Sequence, residues 1–280
     1  ILLISSAFCA NFDDSLARNF FMPLSGAAYS DSPQQCLDNT MKGAKLSKQV
    51  TVKCNYFKNE MCSGFTFLDQ GRKIIGLSFR IVERCTLLMI EDVIPIQSLK
   101  LQVDFKDGGK VSKYFNDAFM DVWDGGLGAD LSYLIMTYPG YDLWITGHSL
   151  GGAIASLASA HIVSFNWFDQ NRITLYTFGQ PRTGDQKYAD VHDNFVKMAY
   201  RVVHDRDLVA HAPPEFMKYD HHKYEVWYDN DMSPGSPFVV CSQQEDTQCS
   251  DQIHFNLNFL PDHPHYFGIN VPPYGKSGCT

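Results

Sequence analysis

After its first ten residues the sequence has no apolar run long enough to span a bilayer, and it has no internal repeat, low-complexity tract or long linker. A chain of 280 residues without such breaks is expected to fold as one domain over residues 11–280. Basic charge is also scarce: 23 Lys and Arg stand against 31 Asp and Glu, a formal net charge of -8. With no basic stripe to release counterions from phosphates, nucleic acid is a poor partner. Its 10 His and 8 Cys contain neither a His-Glu-x-x-His spacing nor a cysteine-histidine framework, so the pattern predicts no metal and no other cofactor. What remains is ordinary globular composition, 45% hydrophobic and 19% charged.

The opening Ile1-Leu2-Leu3-Ile4-Ser5-Ser6-Ala7-Phe8-Cys9-Ala10 runs from apolar into small residues, the pattern at the tail of a secretory signal peptide. Residues 1–10 are expected to be such a remnant, and cleavage after Ala7 and after Cys9 fits equally well. The plainer reading, an N-terminal strand, sits badly with the polar, helix-compatible sequence that follows at once. A secreted, extracellular chain is expected to pair its cysteines. Cys54 and Cys62 flank a short polar segment, as do Cys241 and Cys249, and Cys36 with Cys279 would join the two ends. Cys85 is then left over.

Residues 74 to 80 read as a buried strand, and Leu99 to Phe105 alternates like a second one, closed by Asp107-Gly108-Gly109. From Val111 to about Tyr138 apolar residues recur at helical spacing, with an interruption expected near Gly125 and Gly126. Strands follow at Leu143 to Thr146, Ile173 to Phe178 and Met198 to Val203, with a helix over Ala153 to Val163. Strand, helix, strand in this rhythm predicts an α/β fold with a mostly parallel central sheet flanked by helices.

Gly147-His148-Ser149-Leu150-Gly151 is a Gly-x-Ser-x-Gly motif between the strand at 143 to 146 and the helix from Ala153. A sharp turn there lifts the hydroxyl above the sheet, and only glycine fits beside it. The amide of Leu150 opens the helix, where it can face a developing oxyanion. A serine hydroxyl is a weak nucleophile alone, so an acid and a histidine must follow, in that chain order. Asp205 and Asp207 lie just past a strand, and His263 and His265 lie near the end. The plain reading of each is a solvated loop residue.

These residues resemble the class 3, or fungal-type, triacylglycerol lipases of the α/β-hydrolase superfamily. The likeness is carried by Tyr138-Pro139, by Thr146 to Ala153, by Thr177-Phe178-Gly179-Gln180-Pro181-Arg182, by the 201 to 214 stretch ending Pro213-Pro214, and by His263 to Gly268. It runs from about residue 20 to the end. It implies Ser149 as nucleophile, Asp207 as acid and His263 as general base. Asp207 is preferred to Asp205 because His204, Asp207 and Val209 match the family's His-x-x-Asp-x-Val. His263 is preferred to His265 because the family histidine lies four residues before the Phe of Tyr-Phe-Gly.

One departure stands out. The family continues its early strand as Phe-Arg-Gly followed by Thr or Ser, which help to bind the oxyanion, whereas here Phe79-Arg80 leads into Ile81-Val82. The hydroxyl donor is absent, leaving the amides of Val82 and Leu150 as the expected pair, and one missing donor typically costs about 10²- to 10³-fold in rate. Beyond it, Glu83 to Ile90 mixes charged and apolar residues at roughly helical spacing, where the family carries a lid that opens at a lipid surface; a buried core helix is the equal alternative. The resemblance therefore implies a secreted carboxylic-ester hydrolase whose partner is a lipid or ester substrate at a lipid-water interface. A lipase-like lipid-binding protein with weak or no turnover is the competing expectation.

Overall fold

The computed structural model describes residues 12–54, 61–82, 101–252 and 261–280. Three strands, β1 (Lys45–Lys53), β2 (Met61–Asp69) and β3 (Ile74–Val82), precede a small hairpin of β4 (Gln102–Asp104) and β5 (Lys110–Ser112). Then come β6 (Asp142–His148), β7 (Ile173–Phe178), β8 (Met198–His204), β9 (Glu225–Tyr228) and β10 (Val239–Cys241). All but β4 and β5 of these lie side by side, in chain order, in one eight-stranded sheet. The pairs β3–β6, β6–β7, β7–β8 and β8–β9 are parallel, and antiparallel pairs finish the two edges. This is the expected α/β fold with a mostly parallel sheet.

Parallel strands covered on both faces must be apolar on both. Leu143, Ile145, Ile173 and Leu175 pack on one face with Ile154 and Ala158 of the helix Leu150–Ser164. Trp144, Tyr176 and Phe178 turn to the other face, where the helical stretch from Asp14 to Ala27 covers them. Phe21 stacks on Tyr176 at 4.5 Å between ring centres and lies 4.7 Å from Trp144. Each such large side chain, taken from water, contributes about 1.5–3 kcal/mol. The helix Leu150–Ser164 is buried nearly all round, so its Ala, Gly and Ser residues let it approach the sheet closely.

The interruption expected near Gly125 is present: helices Lys113–Val122 and Gly128–Thr137 are joined through Trp123–Leu127, where Gly126 has φ 118°, a conformation that favours glycine. Two expectations need correction. Val111 does not begin the helix, because Lys110–Ser112 pairs with β4 and the helix starts at Lys113. Of the strand expected from Leu99 to Phe105, only Gln102–Asp104 is a strand among the described residues, and it belongs to that hairpin and not to the sheet. Three disulfides, Cys36–Cys279, Cys54–Cys62 and Cys241–Cys249, form as expected. Residues 1–10, the lid segment 83–90, Cys9 and Cys85 lie outside the described residues. Among the described residues no helix is long and apolar enough to cross a membrane.

Candidate active site

Three strand ends deliver three of the site's components to one edge of the sheet, the carboxyl edge where parallel α/β sheets place their ligands. Strand β6 ends at His148, and Ser149 follows at φ 61° and ψ -134°, a strained turn held by the hydrogen bond from its N–H to the Phe178 carbonyl at 2.8 Å. The glycines around it are sterically required. A Cβ on Gly147 would stand 2.2 Å from the Gly151 oxygen, and one on Gly151 would stand 2.2 Å from the Phe79 oxygen. Helix Leu150–Ser164 starts directly after the serine, so the Leu150 N–H is among those with no intrahelical acceptor.

Strand β7 exits through Gly179 at φ 59°. A Cβ there would lie 2.5 Å from Asp207 Oδ2, 2.9 Å from the Tyr266 hydroxyl and 3.0 Å from His263 Nδ1. Only a hydrogen at this position leaves room for those three groups. Strand β8 exits into a turn closed by the Asp207 N–H donating to the His204 carbonyl at 2.9 Å, and this turn buries Asp207 completely. His263 comes from the loop just before a second hairpin, β11 (His265–Tyr266) and β12 (Ile269–Asn270).

The structure brings Ser149, His263 and Asp207 into one hydrogen-bonded line. The Ser149 hydroxyl lies 2.7 Å from His263 Nε2, and His263 Nδ1 lies 2.9 Å from both oxygens of Asp207. Asp207 also accepts the Val209 N–H at 2.9 Å and the Tyr266 hydroxyl at 2.5 Å. Burial by itself would raise this carboxyl's pKa, but the His263 imidazole and the hydrogen bonds from His263 and Tyr266 bring it down to about 2. The group is therefore a carboxylate throughout the working range, and it must accept the Nδ1 proton. Nε2 is then left with a lone pair aimed at the serine hydroxyl. Burial, and then the same carboxylate, push the Tyr266 phenol well up, so it stays a donor.

The two competing candidates are elsewhere. Asp205 is half-buried and faces Arg206, and exposed His265 turns its Nδ1 to the Pro261 carbonyl at 2.9 Å. Val82 is the last residue of β3, whose Phe79 pairs with Gly147 beside the serine turn. Ile81 is buried in the main core. Four further residues of the site were not singled out from the sequence: Gly179 and Tyr266, which stand inside quoted motifs, His148, which stands inside the serine motif, and Tyr29, which no local signal marks.

The chain has counterparts among known proteins. The model of the class 3 lipase family matches residues 86–217. A lipase of Caenorhabditis elegans, Lipase ZK262.3, is 32% identical over 302 residues, spanning 96% of this chain and 83% of that protein. The chain belongs to the class 3 lipase family. The crystal structure of a lipase from Rhizopus microsporus var. chinensis superposes with a TM-score of 0.76 at 27% identity, over 93% of this chain and 87% of that one. A triacylglycerol lipase whose catalytic centre is a serine protease triad superposes at 0.77 and 26% identity, over 90% and 93%.

Near the loop that follows Asp207 in this lipase lies a buried cation, Arg182. Arg182 donates to Glu245 at 2.6 and 3.0 Å, to Asp251 at 3.1 Å, and to the carbonyls of His211 and Pro213 at 2.6 and 3.2 Å. It thus fastens the loop that follows Asp207. Among the described residues, two groups of side chains have the composition of a metal site, His221-Glu245-Asp251 and His192-Asp193-His222. In the first, the Arg182 guanidinium already supplies the cation. In the second, the imidazoles lie face to face, 4.0 Å apart and 18° from parallel, so their in-plane lone pairs do not converge.

Proposed function

We propose that this lipase hydrolyses carboxylic esters of acylglycerols with Ser149 as nucleophile, His263 as general base and Asp207 as the acid that orients and stabilises the imidazolium. The observation that carries the reading is the hydrogen-bonded line from the serine hydroxyl through His263 to a carboxylate held ionised. In acylation, Oγ attacks the ester carbonyl while its proton passes to Nε2. The tetrahedral oxyanion faces the amides of Leu150 and Val82, and Nε2 returns the proton to the departing alcohol. Water then attacks the acyl-enzyme by the same proton route. Three disulfides fit a chain that works outside the cell, and we read its substrate as presented at a lipid-water interface.

A second reading is favoured by Ile81 and Val82, which stand where the family keeps Gly and a hydroxyl residue: a protein that holds the fold and binds lipid without useful turnover. Hydrolysis of short- and long-chain acylglycerols separates the two. The proposed function predicts turnover that falls by about 10⁴-fold or more in Ser149→Ala. Wild-type rates no higher than those of Ser149→Ala would leave the binding protein.

A further inference from the structure

The residue just before the nucleophile is as carefully held as the nucleophile itself. His148 ends β6, is 2% exposed, and lays its ring against that of His263, 4.8 Å between centres and 24° from parallel. Its Nε2 lies 2.9 Å from the main-chain carbonyl of His263. A carbonyl only accepts, so Nε2 carries the proton. Its Nδ1 lies 2.9 Å from the Tyr29 hydroxyl, and the neutral ring has only a lone pair there, so Tyr29 donates. The tautomer is fixed at both ends.

Tyr29 is itself tied to the sheet. Its carbonyl accepts from the buried Arg80 guanidinium at 3.0 Å, and Arg80 pairs with Asp31 at 3.2 Å. A chain of contacts thus runs from the end of β3 through Tyr29 and His148 to the backbone of His263. The titratable groups facing His148 are Tyr29, His263, Tyr266, whose ring meets it edge-on at 5.7 Å, and Asp207 beyond them. Burial, and then the nearby His263, hold the His148 imidazole down to about 3, so it remains neutral.

We propose that His148 is a positioning residue for the general base, acting through its Nε2–H on the His263 carbonyl and its ring on the His263 ring, with Tyr29 selecting the tautomer. The proposal rests on the reading of His263 as general base. The base's orientation toward Ser149 is then set from two sides, by Asp207 at Nδ1 and by His148 at the main chain.

The test uses the purified full chain in three variants. His148→Phe keeps a ring but loses the donor, His148→Gln keeps an N–H near the Nε2 position, and Tyr29→Phe removes the hydroxyl that selects the tautomer. The readouts are kcat and KM separately, and the downfield proton resonance of His263 Nδ1–H, which reports its bond to Asp207 without any turnover. In His148→Phe we expect kcat to fall about 10- to 100-fold with KM within about threefold, and the resonance to broaden. His148→Gln should recover most of both. If His148→Phe does not fold, Tyr29→Phe decides, with a fall in kcat of about threefold or more and a broadened resonance expected. A folded His148→Phe, or failing that Tyr29→Phe, with unchanged kcat and resonance overturns the proposal. So does a loss that His148→Gln shares fully with an unaltered resonance. If wild type and Ser149→Ala show equal activity, it is the triad that has failed, and the resonance alone still judges His148.

Discussion

Gly179 is the residue whose replacement would be felt most sharply for its size. Its φ of 59° and the 2.5 Å from its missing Cβ to Asp207 Oδ2 together mean that a methyl group must displace the carboxylate, the Tyr266 hydroxyl or the backbone. Gly179→Ala is therefore expected to lower kcat by about 10²-fold or more, the scale of damage from small misplacement of a catalytic group, while also lowering thermal stability. A variant with wild-type kcat and melting temperature would show that the turn yields easily. At this scale the meeting of Ser149, Asp207 and His263 is legible because each sits in a short motif with a fixed offset: Gly-x-Ser-x-Gly, His-x-x-Asp-x-Val, and four before the Phe of Tyr-Phe-Gly. Tyr29 was not, because its contact with His148 spans 119 residues of sequence and leaves no local pattern. His148 and Gly179 were visible as motif members, but what each touches is decided only when β6, β7 and β8 lie side by side.

Elements that run apolar and uninterrupted declared themselves. The strand expected at Ile173 to Phe178 is β7 to the residue, since a parallel strand covered on both faces has no polar position to blur its ends. Val111 reads as helical from sequence because its side chain continues the helical apolar stripe of Tyr114, Phe115 and Ala118, while its backbone pairs with Val103. Strand β1 escaped notice for the opposite reason: as an edge strand it is largely exposed, and Lys45, Lys48 and Lys53 dilute the apolar signal. The C-terminal segment is attached to the helix Pro33–Thr40 by Cys36–Cys279, which closes a loop across a separation of 243 residues. A loop of that length corresponds to about 5 kcal/mol in the chain-entropy picture. Cys36→Ser with Cys279→Ser should shift the urea midpoint down by a large fraction of the protein's stability. An unchanged midpoint would place the holding force in the contacts of Gly26 with Gly275 and Tyr274 instead.

For the whole molecule, the buried histidines set a pH limit. His148 and His192 are held down to about 3, and His221 and His222 lie below the ordinary 6.5, all chiefly through burial. Each takes up a proton near 6.5 when unfolded but resists it when folded. A lowered folded pKa gives stability that is present above 6.5 and lost as pH falls toward 3. Asp207 adds a later loss, between its ordinary 3.8 and about 2. The urea midpoint should therefore drop steadily from pH 6.5 to pH 4, before most carboxylates titrate. A flat midpoint over that interval would mean that these histidines are charged in the folded state.

The family, the sheet and the line of three side chains support the proposed role of Ser149 as nucleophile, while Ile81 and Val82 alter the place where the oxyanion would be held. The most direct measurement is peptide mapping by mass spectrometry after incubation with a fluorophosphonate, which reacts only with a serine activated by its base. A single adduct on Ser149 is expected, formed in the wild type and lost in His263→Ala. An unlabelled wild-type protein, or an adduct on another residue that persists in Ser149→Ala, would contradict it.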